Sequence, residues 1–172
     1  MKCAVAFIIL FTGAAAAQTA PTLSSKGLAP VEIGMSSDGL ERVLRAKVPY
    51  SEYANNGCGV VTTREMEPLG LSFMIEAKRV TRISLDFYGT DPRPLEIKTD
   101  TGVGLGSTEE DVLKAYGTRA RVEPNPQDPT WHTIIVDDPD QTRAIIFETN
   151  GKSVKSIRAG EYPDVASRTG CD

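Results

Sequence analysis

A single histidine, His132, stands in Trp131-His132-Thr133, shortly before the acidic run Asp137-Asp138-Pro139-Asp140. Imidazole beside a carboxylate is the pairing that general-base chemistry uses, provided a nucleophile lies within reach. No nucleophile motif accompanies it, so a structural or surface histidine is the better reading. Hydrolysis through His132 and the nearby aspartates is the weakest of the functional expectations. The acidic run lacks the interleaved spacing and acidic end of a calcium loop; it reads as a turn, and no metal site is expected. Gly102-Val103-Gly104-Leu105-Gly106-Ser107 precedes a helix and invites a phosphate-binding reading. No lysine follows the glycines and no parallel-sheet pattern surrounds them, so a tight turn fits better. No cofactor is expected, no catalytic residue is assigned, and the chain reads as a non-enzyme.

The start of the chain sets the compartment. Lys2, an apolar run from Ala4 to Phe11 and an Ala15-x-Ala17 site are the three parts of a cleavable secretory signal over residues 1–17. The run is too short to cross a bilayer as a helix. No other long apolar stretch follows, so no membrane insertion is expected and the expected location is periplasmic or secreted. A formal net charge of −4 gives no basic footprint for nucleic acid. Cys3 leaves with the signal, and it precedes the apolar run, whereas a lipid-bearing cysteine follows one. Cys58 and Cys171 remain, an even pair suited to one disulfide in an oxidising compartment. Such a bond closes a loop worth roughly 4–5 kcal/mol of chain entropy. It also ties the tail, residues 161–172, to the body of the fold.

The elements that must position these residues come from an internal repeat. Val31-Glu32-Ile33-Gly34-Met35-Ser36-Ser37-Asp38-Gly39-Leu40 aligns with Val103-Gly104-Leu105-Gly106-Ser107-Thr108-Glu109-Glu110-Asp111-Val112 at an offset of 72 residues. Phe73 to Glu76 matches Ile145 to Glu148 at the same offset. Val80 to Ile83 matches Val154 to Ile157 at 74, with the insertion at the turn-forming Asn150-Gly151. In each copy a glycine turn leads to an N-cap, at Ser36 or Ser37 and at Ser107 or Thr108, and then to a short helix. Leu40, Val43, Leu44 and Val48 form one apolar stripe; Val112, Leu113 and Tyr116 form the other, with Gly117 as a stop. Strands are expected over 59–64, 71–76 and 79–87, and over 131–136, 143–148 and 153–159. Alternation such as Leu71/Phe73/Ile75 against Ser72/Met74/Glu76 means one buried face and one wet face.

The expected fold is therefore α+β: two tandem repeats, each a short helix followed by an antiparallel three-stranded meander. The expected divisions are a signal at 1–17, a flexible lead-in at 18–30, repeat 1 at 31–90, a linker at 91–102, repeat 2 at 103–160 and the tail. Leu95-Glu96-Ile97 in the linker suggests an added edge strand.

The segments Ile33-Gly34-Met35-Ser36-x-Asp38-x-Leu40 and Leu105-Gly106-Ser107-Thr108-Glu109-x-x-Val112 resemble the repeated unit of the beta-lactamase inhibitory protein superfamily. They are similar also to small outer-membrane assembly lipoproteins of the SmpA/OmlA type. The resemblance implies a helix packed on a curved antiparallel sheet, repeated in tandem. It implies a protein-binding role, either inhibition of an enzyme or scaffolding in the cell envelope. It carries over no inhibitory residue, and it does not support a beta-lactamase target, because aromatic residues are few.

Arginine, tyrosine and tryptophan carry most interface energy. Arg82 and other basic residues on the predicted strands would share the open sheet face with aromatic residues. Tyr53, Arg82, Trp131 and His132 are accordingly the expected partner-binding residues. The leading expectation is an exported, non-enzymatic domain that binds another envelope protein, for instance a hydrolase such as lysozyme. The second is a small-molecule or glycan binder with a pocket between the repeats.

Overall fold

The structure, a computed structural model, describes residues 21–48, 57–87 and 97–171. The signal segment 1–17, Tyr53 with most of its loop, and linker residues 91–96 lie outside the described residues.

Strand makes up 43% of the described residues and helix 17%. Among the described residues there are two α-helices, α1 (Ser37–Leu44) and α2 (Glu109–Tyr116). The small sheet orders its four strands β3-β2-β1-β7, where β1 is Thr22–Ser24, β2 Gly27–Leu28, β3 Val31–Glu32 and β7 Lys98–Thr99. The large sheet orders seven strands β4-β5-β6-β11-β10-β9-β8. Here β4 is Cys58–Val61, β5 Leu71–Glu76, β6 Arg79–Asp86 and β8 Ala120–Pro124; β9 is His132–Asp137, β10 Arg143–Thr149 and β11 Val154–Glu161.

The register of the large sheet explains its core. Phe73, Ile83, Ala159, Ile145 and Val136 are cross-strand partners in one row, and Leu71, Leu85, Ile157, Phe147 and Ile134 in the next. All ten belong to one buried apolar cluster, which also takes in Leu40 of α1, Val112 and Tyr116 of α2, and Leu23 and Leu28 of the small sheet. One face of the large sheet is thus covered by both helices and the small sheet. The period-two alternation places the intervening residues on the other face. There Ser72, Ser84, Arg158, Ile146 and Ile135 form a row. Val165 and Tyr162 from the C-terminal segment pack on that face against Ile135, Ala144 and Ile146.

The central pair, β6 and β11, approach so closely that only glycine fits at position 160. A Cβ built there would lie 2.2 Å from the Thr81 carbonyl oxygen.

Both helices start as their sequences suggest. The Ser36 hydroxyl accepts from the Gly39 N–H at 3.1 Å. Thr108 and Asp111 form a reciprocal capping box, one residue later than the Ser107-x-x-Glu110 pattern. The turns before them are anchored alike: Gly34 N–H donates to Val80 at 2.7 Å, and Gly106 N–H to Val154 at 3.0 Å.

The expected α+β fold of two helix-plus-three-strand repeats is overturned. The chain is mostly β and forms sheets of four and seven strands. Three physical reasons account for the difference. Strands β6 and β11 pair, so the strands from both halves form one continuous sheet. The second half contributes a fourth strand, β8, from a polar segment that carries no apolar alternation. Residues 22–28, read as flexible lead-in, and Lys98–Thr99, read as linker, pair in parallel as β1 and β7 and build a second sheet.

Candidate functional site

His132 opens β9, directly opposite Thr149 at the end of β10. Glu109 is the first residue of α2, and its N–H donates to the Lys152 carbonyl at 3.1 Å. An isolated bridge from Thr108 to Ser153 adds to this tie, so the helix start is held against the β10–β11 turn. These elements bring three side chains together. The Glu109 carboxylate receives His132 Nδ1 at 2.8 Å and 3.0 Å from its two oxygens, and the Thr149 hydroxyl donates to the same carboxylate. A carboxylate only accepts, so Nδ1 carries the proton of this contact. The helix N-terminus adds a favourable field for the negative charge. The His132 side chain remains 33% exposed.

The β8–β9 loop beside this cluster is fixed by its own side chains. Asn125 Oδ1 accepts from the Gln127 N–H at 2.9 Å. Asp128 Oδ1 accepts from the Thr130 N–H at 2.9 Å and from its hydroxyl at 2.7 Å. The hydroxyl and then the backbone bond from Thr130 hold the Asp128 carboxyl below the usual carboxylate range. Pro126 and Pro129 restrict the backbone further. The loop is closed by Asn125 N–H to the Trp131 carbonyl and Trp131 N–H to the Asp128 carbonyl, each at 2.9 Å.

Two outside contacts clamp this loop. Arg168 Nη1 donates to Asn125 Oδ1 at 3.0 Å. The turn at Gly151 comes so near that a Cβ there would sit 2.7 Å from the Thr130 carbonyl. The half-buried Trp131 and His132 are therefore presented from a pre-organised frame.

Arg82 lies elsewhere. It is 5% exposed on the second face of the large sheet. Its Nη1 donates to the carbonyls of Asp164 at 3.1 Å and Ser167 at 2.9 Å. Arg82 thus binds the C-terminal segment to β6, on a face the sequence reading left open. Arg158 does the same from β11, donating to Val165 at 3.1 Å and to Glu148 at 2.7 Å. Arg168 of the segment reaches Thr133 at 2.8 Å, and Thr133 donates to Glu148 at 2.9 Å. The Cys58–Cys171 disulfide, with a Cα–Cα distance of 5.7 Å, fastens the end of the segment to β4. Next to it Glu76 and Asp164 line a recess of about 250 Å³. The charge of Asp164, and after it burial, push the Glu76 carboxyl above its usual range.

Of the four expected partner-binding residues, the structure brings Trp131 and His132 together and places Arg82 apart; Tyr53 lies outside the described residues. Glu109, Thr149, Asn125 and Arg168 were missed. Only Glu109 carried a signal, as an acidic residue at a helix start. Among the described residues no hydroxyl or thiol bonds to His132 Nε2, and no group of three or more His, Cys, Asp or Glu side chains is placed to hold a metal ion. No helix among the described residues is long and apolar enough to cross a membrane. Comparison with family models, with curated proteins and with solved structures found no match to the chain.

Proposed function

We propose that the chain is an exported, non-enzymatic binding domain that engages another protein through Trp131, His132 and the loop 125–130. The observation that carries this reading is the rigidity of that loop. The Asn125 and Asp128 side chains accept from its own backbone, and it is clamped by Arg168 and Gly151. A loop ordered before binding loses little entropy on association. Trp131 and the imidazole then supply the aromatic and polar contacts that interfaces favour. Binding is preferred to hydrolysis because the imidazole is oriented by Glu109 but has, among the described residues, no nucleophile bonded to its other nitrogen. The Cys58–Cys171 disulfide is consistent with an oxidising compartment, and a periplasmic or secreted location is the finer reading proposed. The resemblance to inhibitory and envelope-assembly proteins points the same way, toward a protein target.

The test uses the oxidised chain immobilised against an envelope extract, with Trp131→Ala and His132→Ala chains beside it. A saturable partner retained by the parent, and held at least tenfold more weakly by Trp131→Ala, supports the reading. A partner retained equally by all three chains places the interface elsewhere.

A further inference from the structure

A cleft of about 420 Å³ lies between the small sheet and the start of β10, lined by Ser24, Lys26, Gly27, Pro30, Glu32 and Arg143 among others. Arg143 shares the pleat direction of Ile145 and Phe147, which face the small sheet. Its Nε is buried, and among the described residues it has no hydrogen-bond acceptor. No ion pair of Arg143 is found there either. The nearby Asp140 carboxylate takes the backbone N–H and hydroxyl of Thr142 on Oδ1, at 3.1 Å and 2.9 Å, and feels the Arg143 charge without a hydrogen bond to it. A buried donor nitrogen without an acceptor is costly, and a ligand oxygen reaching Arg143 Nε would remove that cost. The backbone of Arg143 is meanwhile well held, paired with Glu161 of β11 and accepting from the Asp138 N–H at 2.8 Å. The Arg143 backbone is thus fixed, and its half-buried side chain keeps one nitrogen, Nε, without an acceptor among the described residues.

The charges in the cleft select the ligand. Lys26 and Arg143 face one carboxylate, Glu32, so the cleft is net positive. A guanidinium offers two parallel N–H donors that match two oxygens of one oxyanion. We propose that this cleft binds the oxyanion of a small molecule, a carboxylate or a phosphate, with Arg143 as the principal donor and Lys26 as the second charge. This site is independent of the Trp131–His132 surface, and neither needs the other.

The experiment is an amide and guanidinium NMR titration of the oxidised chain in an oxyanion-free buffer. Inorganic phosphate and acetate are the two probes, which separates the phosphate source from the carboxylate source. Saturable shifts at Lys26, Gly27 and the Arg143 Nε–H are expected, falling at least tenfold in affinity with Arg143→Gln. Glu32→Gln removes the opposing charge from an exposed position and is expected to tighten binding several-fold. Absence of saturable shifts with both probes overturns the proposal, as does equal affinity in Arg143→Gln. Should Arg143→Gln fail to fold, Glu32→Gln decides alone, and unchanged affinity there overturns it.

Discussion

Arg158 donates to Glu148 at 2.7 Å, and their side chains are only 7% and 10% exposed. Removing one partner of such a pair leaves a buried charge without compensation. Glu148→Gln is expected to destabilise the fold by about 3 kcal/mol, read as a lower urea midpoint. Replacing Arg158 and Glu148 together by Met and Leu should not restore full stability. Arg158 also holds the Val165 carbonyl, which then loses its donor. A double variant as stable as the parent contradicts this role.

The disulfide joins residues 113 apart in sequence. Loop-closure entropy then predicts a loss of roughly 4–5 kcal/mol for the Cys58→Ser/Cys171→Ser chain. Hydrogen exchange should show the loss first in residues 162–171, while the β10–β11 amides stay protected. Uniform loss of protection would mean the segment and the sheet open as one unit.

Gly160→Ala drives a methyl group into the Thr81 carbonyl. Strands β6 and β11 must part or twist, at an expected cost of about 3 kcal/mol. Thermal unfolding of the variant is the direct check. A melting temperature within a degree of the parent would show that the seam yields easily.

Burial and the Asp137 carboxylate, which accepts the Tyr162 hydroxyl at 2.7 Å, push the Tyr162 phenol up to about 12. A raised phenol favours the folded state below pH about 10, where both states are neutral. That contribution is lost as pH rises through about 12. Alongside Tyr116, whose phenol burial also pushes up, ultraviolet titration should find Tyr162 ionising late. Asp137→Asn should lower its midpoint only in part, because burial is the larger cause.

Glu76 follows the same sign in a lower pH window. Its carboxyl is raised by Asp164, so the folded state binds its proton more readily than the unfolded state does. Stability from this group is present at low pH and lost as pH climbs through the raised value. Glu76→Gln is expected to raise the neutral-pH melting temperature, with the gain vanishing below pH about 4. A gain that persists at acid pH would assign the effect to packing rather than charge.

Much of the large sheet was readable, because Leu71, Phe73 and Ile75 alternate with Ser72, Met74 and Glu76 over six residues and define a face. The cysteine pairing was readable from parity. The small sheet was not, since strands of two or three residues have no periodicity to read. The pairing of Leu23 with Thr99 depends on contacts far apart in sequence. Arg82 was assigned to a wet face because alternation tells which side a residue takes, not what later covers it. Here the C-terminal segment, anchored by Val165 and Tyr162, packs on that face, and its carbonyls accept from Arg82 and Arg158. The Glu109–His132 contact joins a helix start to a strand start, and no local spacing encodes that meeting.

The position of β11 governs how this molecule is born. Hairpin β5–β6 and the strands β8 to β11 can each form from neighbouring sequence, but the seam at Ser84 and Arg158 joins them through the middle of the sheet. Until that late strand emerges, β6 offers a bare hydrogen-bonding edge flanked by Ile83 and Leu85. Contacts of this sequence separation are slow to form. A chain halted before Val154 has a sticky edge and no partner of its own, and it will take the β11 of a second molecule where one is near. Refolding that slows or yields exchanged dimers as concentration rises is the expected mark of that seam.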